Sequence, residues 1–92
     1  MEEGRVKVVN EVGLHARPAA IFVVNAARFK SKIRVHNATK DSKWVDAKSI
    51  LGILTLGVEK DHEIEITAEG PDEAEAVSQI ITLIKNDFRD AA

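Results

Sequence analysis

Alternating apolar and charged residues predict four β-strands. Residues 5–9, 32–36 and 62–68 place an apolar side chain at every second position, which is the period of a strand with one buried face. Residues 43–46 are expected to return as the hairpin partner of the second strand after a polar loop. The side chains predicted to face the core are Val6, Val8, Ile33, Val35, Ile64, Ile66 and Ala68.

Helical spacing of apolar residues predicts three helices between and after these strands. The first begins at His15 or Ala16 and continues to Phe29, a short second one spans 49–57, and a third starts near residue 72. The residues predicted to form the buried stripes are Phe22, Val23, Ala26 and Phe29 in the first helix and Val77, Ile80, Ile81, Ile84 and Phe88 in the third.

The resulting order, βαββαβα, predicts an α+β fold. Because each strand has one apolar and one charged face, the sheet should be antiparallel, with helices on one side and water on the other. Charged side chains on the wet face are expected to pair across strands. They are Arg5, Lys7, Lys32, Arg34, Glu63 and Glu65. A chain of 92 residues suits a single domain over residues 1–92.

The composition excludes several kinds of site. The chain has no cysteine, which rules out disulfides and thiolate zinc sites. Its net charge of −2 and its aromatic content of 4% fit poorly with nucleic-acid binding. Its apolar runs are far shorter than the ~18 residues of a membrane span. We expect a cytoplasmic monomer with no metal or cofactor, no nucleic-acid partner and no membrane insertion.

Residues 13–18, GLHARP, carry the clearest candidate chemistry. Gly13 permits a tight exit from the strand, and His15 then stands at a helix N-terminus, where unpaired N–H groups hold phosphate well. A neutral imidazole offers a nitrogen lone pair for attack, and Arg17 can donate hydrogen bonds to phosphoryl oxygens. The same residues are also compatible with a histidine that only caps the helix and an arginine that is only solvated.

Two longer motifs, GLHARPAAIFV and DAKSILGILTLGV, occur in this order with a hairpin between them, and EITAEGPDEAEAV follows. With these motifs the whole chain resembles HPr, the histidine phosphocarrier family of the bacterial sugar phosphotransferase system. The resemblance implies an open-faced β-sandwich with three helices on one face. It also implies that His15 takes a phosphoryl group on Nδ1 from phosphorylated enzyme I and passes it to the IIA domain of a sugar permease, supported by Arg17. Such a protein is a carrier modified on histidine rather than an independent enzyme.

The second motif begins its helix at Ser49. The resemblance implies that Ser49 is a site of regulatory phosphorylation by an HPr kinase/phosphorylase, with a catabolite-control regulator as a further partner. The alternative is that Ser49 is simply the N-cap of a helix that Gly57 closes.

An apolar docking patch is expected beside His15, where the family docks its partners. Its predicted members are Ala16, Ala20, Ile21, Val24, Lys48, Ile50 and Leu51. Arg28 and Lys48 are expected to steer acidic partners. Two features depart from the family pattern: Val12 replaces a small polar residue that would organise the active-site turn, and the hairpin loop 36–44 is longer. We expect that loop to lie far from His15.

The remaining candidates are weaker. His36 is expected on the wet sheet face and His62 at the start of a strand, so their spacing does not predict a metal site. Trp44 is expected to pack within the hairpin. Two alternatives to a phosphocarrier stay open. One is an HPr-like regulator of a nitrogen branch or of catabolite repression, and the other is a small α+β protein-binding module without phosphoryl chemistry.

Overall fold

The computed structural model describes residues 1–88. Its elements, in chain order, are β1 (Glu2–Lys7), α1 (Ala16–Ala26), β2 (Lys32–Asn37), β3 (Val45–Asp46), α2 (Ile50–Thr55), β4 (Glu63–Glu69) and α3 (Glu73–Lys85). The predicted order βαββαβα is confirmed.

The four strands form one sheet in the order β1-β4-β2-β3, and every neighbouring pair is antiparallel. In the interior strand β4, Ile66 lies opposite Gly4 of β1 and Val35 of β2. Gly4 faces α3, because a Cβ at this position would stand 2.6 Å from Cδ1 of Ile81. The helices cover this face of the sheet, as predicted.

The apolar faces of the strands pack against the helices in one core. All the strand residues predicted to face inward are buried, together with Phe22 of α1, Ile53 of α2 and Ile80 of α3. Val23 and Ile81, also predicted for the core, are only partly buried but pack against it. Helical and strand periods in the sequence therefore indicated the buried faces correctly.

Charged side chains pair across strands on the opposite face of the sheet, as predicted. Nε of Arg5 lies 2.6 Å from Oε1 of Glu63, and Nη1 lies 3.9 Å from Oε1 of Glu65. These side chains are largely exposed, so each pair stabilises the sheet by about 0–1 kcal/mol.

His36 points to this charged face of the sheet, as predicted, but its side chain is shielded from water. The residue is only 7% exposed because the indole of Trp44 stacks on its ring with the centroids 4.0 Å apart. Nε2 of His36 lies 2.8 Å from Oε1 of Glu65, and Nδ1 lies 3.3 Å from the carbonyl oxygen of Ser42. Trp44 packs within the hairpin, as predicted.

The strand boundaries differ from the predictions by a few residues. β1 begins at Glu2 rather than at residue 5, because its pairing with β4 extends to Glu2 opposite Ala68. Val9, predicted to end this strand, lies beyond it and is exposed. β3 has two residues instead of four, since Trp44 turns to cover His36.

The helix boundaries also differ. α1 ends at Ala26, yet Phe29, predicted as its last core residue, is still buried in the turn that follows. α2 is shorter than predicted, and Gly57 adopts the left-handed conformation (φ +59°) expected just beyond its end. Phe88 lies outside α3, but it is buried and its N–H donates to the carbonyl of Leu83 at 2.9 Å.

Asp72 is the N-cap of α3, but its side chain binds the turn before β2 instead of its own helix. Its carboxylate accepts the N–H groups of Lys30 (2.8 Å) and Ser31 (2.9 Å) and the hydroxyl of Ser31. Ser31 is completely buried. The hydrogen bonds from the Ser31 hydroxyl, first, and from the Lys30 N–H hold the pKa of the Asp72 carboxyl below its usual value.

Candidate functional site

The chain enters α1 through a tight turn that the neighbouring loop fixes. Gly13 has φ +60°, a left-handed conformation that favours glycine. The next residue, Leu14, is buried and donates its N–H to the carbonyl oxygen of Val58 at 3.0 Å. The turn before His15 is therefore attached to the segment that follows α2.

Asn10 closes this turn. Its Nδ2 donates to the carbonyl oxygen of Gly13 at 2.9 Å, and its own carbonyl oxygen accepts the N–H of Gly13 at 3.3 Å. Val12, where a polar residue was expected to organise the turn, is half exposed at 51%. The organising group thus lies two residues earlier, and the signal available in the sequence was an asparagine three residues before a glycine.

His15 is the N-cap residue of α1, with extended backbone geometry (φ −81°, ψ −172°). Its carbonyl oxygen accepts the N–H of Ala19 at 2.8 Å and so begins the helix. Its side chain makes no capping hydrogen bond within residues 1–88, and the residue is exposed. The backbone therefore performs the capping function, while the imidazole is left available to a partner.

A shallow depression of about 290 Å³ lies beside the imidazole. Leu14, His15, Ala16, Leu54, Gly57 and Val58 line it. Leu54 was not among the predicted site residues, although it follows Ile50 by four positions and so shares its face of α2. The depression thus lies between the start of α1 and the end of α2. Its lining residues belong to the two sequence motifs, GLHARPAAIFV and DAKSILGILTLGV.

Arg17, in the first turn of α1, lines a separate and larger depression of about 600 Å³. It shares this depression with Pro18, Ala20, Ile21, Val24, Asn25, Asp87 and Phe88. Arg17 is exposed and forms no hydrogen bond or ion pair with the part of the chain that the structure describes. Arg17 follows His15 by two residues, so both stand at the N-terminal end of α1.

Ser49 occupies the N-cap of α2, as predicted. Its side-chain oxygen accepts the N–H of Gly52 at 3.1 Å, and the residue is half-buried. This hydrogen bond confirms that Ser49 caps α2. Phosphorylation of Ser49 stays a prediction.

The predicted docking residues lie on α1 and α2, but not all are exposed as expected. Leu51 is 74% exposed, Val24 58% and Ile50 40%. Ile21, placed toward solvent in the prediction, instead packs against the core because α3 flanks this side of α1. Nζ of Lys48 donates to the carbonyl oxygen of Phe29 at 2.7 Å. Lys48 therefore joins the start of α2 to the turn after α1, and its steering role stays a prediction.

The hairpin loop contacts the segment that follows α2. Nζ of Lys40 lies 3.2 Å from the point where a Cβ on Gly57 would stand, and Gly57 lines the depression beside His15. The expectation that loop 36–44 lies far from His15 stays a prediction. The loop is joined to the end of α2 by Asn37, which is fully buried and whose Nδ2 donates to the carbonyl oxygen of Leu56 at 3.2 Å.

The sequence also predicted that the chain has no metal site and no membrane-spanning segment. Within residues 1–88, no group of three or more His, Cys, Asp or Glu side chains is placed to hold a metal ion. Nδ1 of His62 instead accepts the N–H of Glu59 at 3.1 Å and lies 3.1 Å from Nδ2 of Asn37. No helix in the described part of the chain is long and apolar enough to cross a membrane.

Comparison with known proteins identifies the family. A family model described as "PTS HPr component phosphorylation site" matches residues 2–86. Phosphocarrier protein HPr of Treponema pallidum is 44% identical over 85 residues, which cover 92% of this chain and 93% of that protein. The multiphosphoryl transfer protein of Vibrio cholerae is 45% identical over 80 residues, 87% of this chain but only 20% of that longer protein.

Comparison with solved structures identifies the same family. HPr-C-His from Thermoanaerobacter tengcongensis aligns over 100% of both chains, with a TM-score of 0.90 and 44% identity. HPr from Bacillus anthracis aligns over 88% of this chain and 93% of its own, with a TM-score of 0.81 and 42% identity. The predicted fold class and the predicted resemblance are confirmed, and the chain belongs to the HPr family of the phosphotransferase system.

Proposed function

We propose that this phosphocarrier accepts a phosphoryl group on His15 from phosphorylated enzyme I and passes it to the IIA domain of a sugar permease. Family membership makes the chain a phosphocarrier of the phosphotransferase system. The observation that supports His15 as the acceptor is its position: it is the N-cap of α1, exposed, and its side chain is not used for capping.

The chemistry proposed for His15 is a reversible nucleophilic displacement. The lone pair of an imidazole nitrogen, Nδ1 by family resemblance, attacks the phosphorus atom, and a nitrogen–phosphorus bond forms. The bond between phosphorus and the donor's leaving atom breaks, and its electron pair returns to the donor. Transfer to the acceptor repeats the exchange in the same sense, so neither step needs a cofactor.

Arg17 and the start of α1 are proposed to stabilise the phosphoryl group. The guanidinium of Arg17 has no partner within residues 1–88, so it can form paired hydrogen bonds with phosphoryl oxygens. Backbone N–H groups at a helix N-terminus also favour an anion. Both groups attract the negative charge of the phosphoryl oxygens, and neither has to accept or donate a proton.

Partners are proposed to dock on the apolar surface around His15. This surface comprises Ala16 and the exposed residues Val24, Ile50, Leu51 and Leu54. Apolar side chains grouped beside a reactive centre fit a transient interface with a second protein. We propose further that the chain acts as a single cytoplasmic domain and as a monomer, which sedimentation would test.

Intact mass after incubation with phosphoenolpyruvate and enzyme I tests the central proposal. We expect the wild-type mass to rise by one phosphoryl group and the mass of His15→Ala to stay unchanged. Arg17→Gln should be phosphorylated at least about ten-fold more slowly, whereas Arg34→Gln, on the opposite sheet face, should match the wild type. An unmodified wild type, or a His15→Ala variant that still gains the group, would sink the proposal.

A regulatory role through Ser49 is the second candidate. Its support is the position of Ser49 at the start of a motif shared with the family, and the similarity to the Bacillus subtilis catabolite repression protein Crh, 38% identical with a TM-score of 0.72. An HPr kinase/phosphorylase would then transfer the terminal phosphoryl group of ATP to the Ser49 hydroxyl. Incubation with ATP and this kinase should give acid-stable phosphate in the wild type and none in Ser49→Ala.

A further inference from the structure

The side-chain amide of Asn37 has its orientation fixed by a backbone donor. Asn37 is fully buried, and its Oδ1 accepts the N–H of Lys40 at 3.2 Å. Because a backbone N–H only donates, the amide oxygen must lie on this side and the amide nitrogen on the other. The two hydrogen atoms of Nδ2 then serve the carbonyl oxygen of Leu56, at 3.2 Å, and Nδ1 of His62, at 3.1 Å.

This arrangement determines which nitrogen of the His62 ring carries a proton. Nδ1 accepts the backbone N–H of Glu59 at 3.1 Å in addition to the amide of Asn37. Two donors that meet at one ring nitrogen require a lone pair there, so Nδ1 is unprotonated. In this geometry His62 is therefore neutral, with its proton on Nε2.

One peptide group connects the ring of His62 to the turn before His15. It joins Val58 to Glu59: its N–H donates to Nδ1 of His62, and its carbonyl oxygen accepts the N–H of Leu14 at 3.0 Å. Leu14 is the residue before His15. Both ends of this peptide group are thus held by hydrogen bonds, and a rotation that frees one end also moves the other.

The charged groups around His62 leave an added proton without an acceptor. The charged residues of the segments packed around the ring are Glu59, Lys60 and Asp61 in its own loop, Glu63 in β4, Lys40 and Asp41 in the hairpin loop, and Lys7 and Glu11 around the end of β1. Two of these carboxylates are already paired, Glu11 with Lys60 and Glu63 with Arg5. Within residues 1–88, no carboxylate bonds to the ring of His62.

We propose that His62 is a proton-sensitive positioning residue for His15, which holds the peptide group between Val58 and Glu59 while it is neutral and releases it when Nδ1 takes up a proton from solvent. This role rests on the proposed function of His15. Histidine is the side chain that ordinarily changes its charge between about pH 5 and 8. An N–H at Nδ1 would face two other donors, so both hydrogen bonds would be lost. Mild acid would thus loosen the turn before His15 and slow phosphoryl transfer.

NMR of the unmodified wild type tests the structural part of this role. The nitrogen chemical shifts of the His62 ring should show a proton on Nε2 alone at about pH 8. Protection of the Leu14 amide from exchange, corrected for the intrinsic rate, should fall about three- to ten-fold by about pH 6, whereas that of Ile66 in β4 should not. His62→Asn places an uncharged oxygen near the position of Nδ1 and should keep the protection of Leu14 at both pH values.

The rate of phosphoryl transfer from phosphorylated enzyme I to His15 tests the functional part. Because His15 and enzyme I also titrate, the quantity compared is the wild-type kcat divided by that of His62→Asn at the same pH. This ratio should be about 1 at about pH 8 and fall about three-fold by about pH 6, with KM for the carrier unchanged. His36→Gln removes the histidine on the opposite sheet face and should keep the wild-type profile.

The outcomes separate the two proposals. If the wild type gains no phosphoryl group, the proposed function fails, and the role of His62 in transfer fails with it. If the wild type is phosphorylated and the ratio stays constant with pH, only the role of His62 is overturned. A ring that carries its proton on Nδ1 in the neutral form overturns that role as well. Should His62→Asn not fold, the wild type decides, since unchanged protection of Leu14 in mild acid contradicts the proposal.

Discussion

The carbonyl oxygen of Val58 lies against the α-carbon of Gly13, so a Cβ at that position would overlap it. The same oxygen accepts the N–H of the next residue, Leu14. Because both contacts join the turn before His15 to the segment after α2, no side chain can be added at Gly13 without moving one wall of the depression.

Gly13→Ala should therefore lower the free energy of unfolding by about 2–4 kcal/mol, since it adds a backbone clash to an unfavourable φ. Gly57→Ala is the matched control: Gly57 has nearly the same φ, +59°, but its nearest neighbour is the flexible Nζ of Lys40. Gly57→Ala should lower the free energy of unfolding by only about 1–2 kcal/mol. Urea unfolding of both variants measures the difference, and equal losses would show that Val58 imposes no steric limit.

Asn10→Ala should weaken the turn that positions His15. Losing the hydrogen bond to the carbonyl of Gly13 should lower the free energy of unfolding by about 1 kcal/mol and slow phosphorylation of His15. Val12→Ala, in the same turn but largely exposed, should change stability by less than about 0.5 kcal/mol and leave the rate unaltered. If the two variants behave alike in unfolding and in phosphorylation, Asn10 does not organise the turn.

Ser49→Ala should lower the free energy of unfolding by about 1 kcal/mol, because the N–H of Gly52 loses its acceptor. Ser49→Asp keeps an oxygen at the N-cap and should remain near wild-type stability. Urea unfolding of the two variants separates capping from phosphorylation, since neither protein can be phosphorylated at this position. A loss as large in Ser49→Asp as in Ser49→Ala would contradict the capping contribution.

Asp72 should make the fold sensitive to acid. Its hydrogen bonds to Ser31 and Lys30 lower the pKa of its carboxyl in the folded state, so its contribution is complete above the unfolded value of about 3.9 and is lost as pH falls through the lower folded value. The wild type should exceed Asp72→Asn in free energy of unfolding at neutral pH, and this difference should shrink below about pH 4.

Urea unfolding across this pH range, with Glu3→Gln as an exposed control, measures the effect. A difference between wild type and Asp72→Asn that stays constant down to the lowest pH would show that ionisation of Asp72 does not contribute. A difference that grows as the pH falls would reverse the sign of the linkage.

Periodicity and motifs predicted the fold well because strand and helix patterns reflect which side is buried. They identified the core face of β4, the N-cap at Ser49 and the position of His15 at the start of α1. They did not predict which polar side chains meet across loops. Asn37 donates to the carbonyl oxygen of Leu56, 19 residues further along the chain, and no local pattern encodes such a contact.

Burial on the charged face of the sheet was equally hard to predict. His36 follows the alternation of an outward residue, and its side chain does point outward, but the stacked indole of Trp44 shields it from water. Strand alternation gives the direction of a side chain, whereas its exposure also depends on what a neighbouring loop lays over it.

The sheet order has a consequence for folding during synthesis. Among residues 1–88, β1 pairs only with β4, so that Arg5 contacts Glu63, 58 residues further along the chain. Closing so long a loop carries a high entropic cost, which delays this pairing relative to local contacts. In a nascent chain, the strand before His15 therefore stays unpaired until β4 has been synthesised. The turn that positions His15 is then expected to form late in synthesis.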